Sequence, residues 1–132
     1  MKRVINEDLP ENIETTFNIL KDQNGQIVYI GEFPTSESGD WSLELKHYFA
    51  DGRLIAFEKR LAYFNGECTD RAVIETIIEL YDKDFKIVKT TKTLTDNDGK
   101  KMDEEKCSDP YQWPLDKRGT VSELVKLKGI VL

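Results

Sequence analysis

The chain has 132 residues, of which 39% are hydrophobic and 33% charged, and a formal net charge of −6. A domain of this size can bury roughly two-thirds of the surface its unfolded chain exposes, and its apolar residues are spread along the whole length, which excludes wholesale disorder. The acidic balance repels nucleic-acid phosphates and anionic lipid, and no apolar run approaches the roughly 20 residues of a membrane helix, so neither nucleic acid nor a membrane span is expected.

The N-terminal stretch MKRVINEDLPENIE starts basic but has no apolar core region, so it is not an intact signal peptide. Two readings stay open: a cytoplasmic protein, or one whose export signal or lipid-anchor segment has been removed. Residues 1–13 form a lead segment that can add a layer through Val4, Ile5, Leu9 and Ile13.

From residue 14 to 109 the pattern alternates with period two, the mark of strands. Thr15 to Lys21 leads through DQNG into Gln26 to Phe33; Trp41 to Phe49 leads through ADG into Arg53 to Phe64; Arg71 to Tyr81 leads through DKD into Phe85 to Leu94. These are three hairpins in series. Their second strands, NGQIVYI, DGRLIAF and DFKIVKT, read as a degenerate internal repeat or as convergent turn chemistry. In the middle hairpin a three-residue Ala50-Asp51-Gly52 loop would set Phe49 opposite Arg53 and Leu45 opposite Phe57. A two-residue loop would instead oppose Leu45 to Glu58 and mix the faces. The third hairpin is expected to bury Ile74, Thr76, Ile78 and Leu80 and to turn Glu75 and Glu79 outward.

Residues 110–132 hold a proline-flanked loop, PYQWPLDKRG, and one short helix. Thr120 is its expected N-cap with Glu123 three residues on, and Gly129 lies just past its end. The fold class is therefore mainly β: one domain with a six-stranded antiparallel meander, curled to protect its apolar face, plus a C-terminal helix.

Sites for chemistry are few. The single histidine, His47, lies on the core-facing row of its strand and about 30 Å of strand away from Cys68, which excludes a Cys–His dyad. Two cysteines and one histidine fall short of a structural zinc site. LTDNDGKKMDEE imitates a calcium loop, but the residue in its first ligand position is Leu94. No catalytic set, metal or cofactor is expected. Tyr111 and Trp113 are either anchors for a partner or plugs that dock their own loop. Lys59, alone on an apolar face, is expected to snorkel to the rim; the sharper alternative places it in a ligand pocket with His47 and Trp113.

Cys68 and Cys107 each follow the second strand of a hairpin and open similar phrases, CTD and CSD. Their loops can meet at one end of a meander, so a disulfide is geometrically allowed; it would persist only in an oxidising compartment.

The stretch from YFADGRLIAFEKRLAYFNGECTD through ETIIELYDKDFKIVKTTKTLTDNDGK resembles small, uncharacterised secreted or lipoprotein-like proteins of Bacteroidetes-type bacteria. The likeness spans roughly residues 41–110. Asn65, Glu67, Cys68, Thr69 and Asp70 carry it, and Gly66 stands where a serine is expected. It implies export (periplasmic, outer-membrane-associated or extracellular) and a Cys68–Cys107 bridge, and it brings no activity. The expected function is a non-enzymatic binding or structural domain with a protein or cell-envelope partner, of inhibitor or immunity type. The alternatives are a small-ligand carrier or enzyme with a pocket between sheet and helix, and a cytoplasmic interaction module with free thiols.

Overall fold

A computed structural model describes residues 2–6, 13–36, 41–64, 68, 72–96, 98–102, 107 and 117–130. Seven antiparallel strands lie side by side in chain order: β1 (Lys2–Asn6), β2 (Ile13–Lys21), β3 (Ile27–Ser36), β4 (Trp41–Ala50), β5 (Arg53–Phe64), β6 (Ala72–Tyr81) and β7 (Ile87–Thr95). The three hairpins supply β2 to β7, and one helix, α1 (Val121–Lys128), follows. Two expectations change here. Lys2–Asn6 of the lead segment extend the sheet as edge strand β1, pairing Lys2 with Phe17 and Asn6 with Ile13, in place of the expected covering layer; Leu9 lies outside the described residues. The sheet is open, with β1 and β7 as its edges, and it is not strongly curled.

Three turns share one construction. Asp22, Asp82 and Asp96 each accept two backbone N–H groups through Oδ1, from the residues two and four positions on, at 2.8–3.0 Å. The residue three positions after each aspartate is left-handed: Gly25, Phe85 and Gly99, with φ of 80°, 61° and 81°. Such a turn needs a residue tolerant of positive φ, which glycine supplies without strain and phenylalanine does not. Phe85 is retained there by stacking on Tyr81, with ring centroids 5.1 Å apart. The repeat legible in the sequence is thus a repeat of turns, and it skips the middle hairpin. The calcium-like stretch is one of these turns.

The middle hairpin closes by a different route from the one expected. Asp51 and Gly52 both have positive φ, 52° and 78°, so a two-residue turn pairs Ala50 with Arg53. This is the mirror-image turn that matches strand twist. A bulge after Leu54 then inserts one residue, Ile55, and restores the faces: His47 lies opposite Phe57, Leu45 opposite Lys59 and Leu43 opposite Leu61. Leu43, Leu45, His47, Phe57, Lys59 and Leu61 share the covered face as expected, but each pairs two positions away from the expected partner.

The third hairpin presents the opposite face. Lys59 pairs with Ile77 and Leu61 with Glu75, so Val73, Glu75, Ile77, Glu79 and Tyr81 look toward the core. Ile78 and Leu80 are 37% and 39% exposed on the outer side. The parity of β6 is fixed by its pairing to β5, which overrides the strand's own apolar row.

The core gathers Phe17, Ile30, Trp41, Leu43, Leu45, Phe49, Leu54, Phe57, Leu61, Tyr63 and Val73 along one face, with Leu124 and Ile130 from the helical end. α1 is capped as the sequence requires. Thr120 Oγ1 accepts from the Glu123 N–H at 3.2 Å. Past the helix, Gly129 (φ 66°) donates to the Lys126 carbonyl and Ile130 to the Val125 carbonyl at 3.0 Å, which satisfies the last carbonyls. The segment before α1 is bound to the middle hairpin: Leu54 N–H donates to the Gly119 carbonyl and Val121 N–H to the Gly52 carbonyl, both at 2.9 Å.

Candidate functional site

Three charged groups of atoms sit on the covered face, and each joins two parts of the molecule. In the first, His47 on β4 and Glu32 on β3 lie on neighbouring strands, because Ile30 pairs with His47 and Glu32 with Leu45. His47 Nε2 is 2.5 Å from Glu32 Oε2, and Glu32 Oε1 is 3.0 Å from the Lys128 ammonium at the end of α1. The imidazole is fully buried, with the Phe57 ring centroid 5.0 Å away, and its Nδ1 has no hydrogen-bond partner among the described residues. His47, expected to be a half-buried sheet residue, is fully buried, and it anchors the helix through Glu32.

The second group corrects the reading of Lys59. Its ammonium does not reach the rim; it is buried 2.7 Å from Glu75 Oε1. This contact is a buried ion pair between neighbouring strands. Lys92 on β7 approaches the other oxygen at 4.0 Å. In the third group, Glu79 Oε1 accepts from Tyr81 Oη at 2.8 Å and from the Lys117 ammonium at 2.5 Å. Burial, and then the hydrogen bond to Glu79, raise the Tyr81 phenol well above its ordinary value. Lys117 Nζ also lies 5.4 Å from the Phe57 ring centroid, a cation–π distance.

Of the residues singled out in the sequence, the structure brings His47 and Lys59 onto one face as diagonal neighbours on β4 and β5. Tyr111 and Trp113 lie outside the described residues. Cys68 and Cys107 form a disulfide, with Cα atoms 5.0 Å apart, inside the range such bridges require. Tyr63 on β5 donates its hydroxyl to the Cys107 carbonyl, tying the bridged segment to the sheet. Sequence reasoning missed Glu32 and turned Glu75 and Glu79 outward, where the structure faces both toward the core. A usable signal existed: a lysine on a buried row requires a carboxylate within reach.

The outer face has a different character. On β3, Gly31 is overhung by Tyr29 and Phe33; a Cβ there would come within 2.8 Å of Phe33 Cε2. Tyr29 meets Tyr48 of β4 with ring centroids 5.3 Å apart. Beside them Lys46 lies 3.7 Å from Glu44 and 3.6 Å from Glu58. Burial pulls its ammonium pKa down, but the two carboxylates outweigh that and hold it above the usual lysine value. Farther along the sheet, Ile55, Phe64, Ile78 and Leu80 are exposed on β5 and β6, and Val88 of β7 is 64% exposed. Among the described residues, no cluster of His, Cys, Asp and Glu has the arrangement of a metal site, and no helix is long and apolar enough to cross a membrane.

Comparison with protein-family models, with curated proteins and with solved structures found no match.

Proposed function

We propose that the protein is a non-enzymatic binding domain, exported from the cell that makes it, whose outer sheet face meets a protein or envelope partner. The observation that carries this reading is the orientation of β6. Its more apolar row, with Ile78 and Leu80, faces outward, while Glu75 and Glu79 face the core. Burying two carboxylates and exposing branched apolar side chains runs against the usual partition. An outer partner that covers Ile55, Ile78 and Leu80 gives that arrangement a use. The acids and cations of the covered face are already engaged with one another, which suits a scaffold more than a reaction centre. The Cys68–Cys107 bridge supports an oxidising compartment.

A photo-crosslinking residue placed at Ile78 or Leu80 in the native cell should give a discrete adduct. The same residue at Ser122, exposed on α1, should give none. Adducts that do not depend on position would sink the reading. So would turnover by the purified protein that a single polar substitution abolishes.

A further inference from the structure

We infer that β7 is a docking edge for an extended acidic segment of a partner protein, which adds to the sheet as a further antiparallel or parallel strand. This rests on the binding-domain reading and names the partner's chemistry.

β7 ends the strand order, so among the described residues its outer side has no neighbouring strand. From Ile87 to Thr93 every residue is exposed. The direction of its free backbone groups can be read from one hydrogen bond. The Leu94 carbonyl turns away from β6 to accept from Met102 N–H at 2.9 Å. In an antiparallel ladder alternate residues turn their N–H and C=O the same way. Lys92 and Thr90, paired with Ile77 and Glu79, therefore direct theirs toward the open side. Among the described residues, the chain's own fold-back meets the far end of the edge, where Lys101 bridges Thr95, and Cys107 is already bonded to Cys68. About seven residues of edge remain, some 23 Å of strand.

Charge selects the occupant. Lys83, Lys86, Lys89 and Lys92 stand against the single acid Asp84 between residues 83 and 93, a local charge of +3 in a chain of −6. Lysines on an edge discourage pairing between like edges. A second copy joined β7 to β7 would bring two such edges well within one Debye length, roughly 8 Å at physiological salt. Lys89 and Lys92 point to opposite faces of the strand, so an added strand bearing Glu or Asp meets a lysine on whichever face its acids take. Exposed Val88 and Ile87 offer apolar contact to its remaining side chains.

The test titrates the intact, oxidised protein with a short capped peptide of alternating Glu and Val, and in parallel with its Lys–Val counterpart. Amide hydrogen exchange and chemical shifts are followed residue by residue. The acidic peptide should slow exchange at Thr90 and Lys92 on the order of tenfold at saturation, and binding should weaken severalfold as salt rises. The Lys–Val peptide should leave both amides unchanged. Thr90→Pro removes an outward donor and should abolish protection, while K86E/K89E should exchange the preference between peptides. Exchange of the Ile74 to Leu80 amides reports whether these variants remain folded. Protection confined to the outer face, equal binding of both peptides, or no protection of β7 overturns the edge proposal. In each case crosslinking at Ile78 still judges the binding-domain reading independently.

Discussion

If the Lys59 ammonium were removed and its neighbour kept, the Glu75 carboxylate would be left buried opposite Leu61, with Lys92 Nζ 4.0 Å from its other oxygen. Lys59→Met should therefore destabilise the fold by about 3–5 kcal/mol, and adding Glu75→Leu should recover most of that loss. Urea denaturation of the two single variants and the double variant measures the coupling, and additive losses would refute it. At Phe85 the usual order of substitutions should invert. Its left-handed backbone strains any side chain, by about 1 kcal/mol, so Phe85→Gly sheds strain that Phe85→Ala keeps. Both lose the Tyr81 stacking, yet the glycine variant should melt higher than the alanine variant. At this scale the sequence was legible in part. The core rows of β4 and β5 could be read from alternation, but Lys59 was read alone because its partner lies on a strand whose face depends on the β5–β6 connection.

Among the elements, the aspartate turns give a pH signature. Backbone N–H bonds from Lys86 and Asp84 hold the Asp82 carboxyl below its ordinary value. A carboxylate with a depressed folded pKa stabilises the fold above its unfolded pKa, near 4. It loses that contribution as pH falls through the lower, folded value. Protection of the β6–β7 hairpin amides, taken relative to the intrinsic exchange rate at each pH, should therefore fall on acidification below about pH 4, and Asp82→Asn should remove most of that local dependence. An unchanged acid limb in the variant would show that the turn is not the titrating element. Turn positions and helix caps were readable because each rests on neighbours in sequence: Thr120, Glu123 and Gly129 form the caps expected of them. The middle register was not. A two-residue turn alone would scramble the faces, and the bulge at Ile55 that repairs them leaves no mark in composition.

For the whole molecule, the Cys68–Cys107 bridge closes a loop of 39 residues in separation. On the chain-entropy estimate this stabilises the native state by about 4 kcal/mol. Reduction should lower the melting temperature by roughly 12–20 °C, as calorimetry with and without a thiol reductant would show. Non-reducing mass spectrometry of protein from its native compartment should find no free thiol; two free thiols would remove the support for export. The meander itself was legible because every pairing joins strands adjacent in the chain. Strand β1 was not, since KRVIN is too short to show alternation and gains its place only by pairing with β2.

Mechanically, a serial meander is a zipper. A pull on the N-terminus loads the β1–β2 ladder one hydrogen bond after another, so strands should peel away in order at low force. The opposite end resists differently, because the chain before α1 is hydrogen-bonded to the middle hairpin at Gly52 and Leu54. The disulfide also hides length: its 39-residue separation corresponds to about 130 Å of extended chain, which tension can release only after the sulfurs part. Anchored in an envelope and tugged by a bound partner, such a domain would yield its first strands as a compliant lead while the bridged hairpin kept its shape.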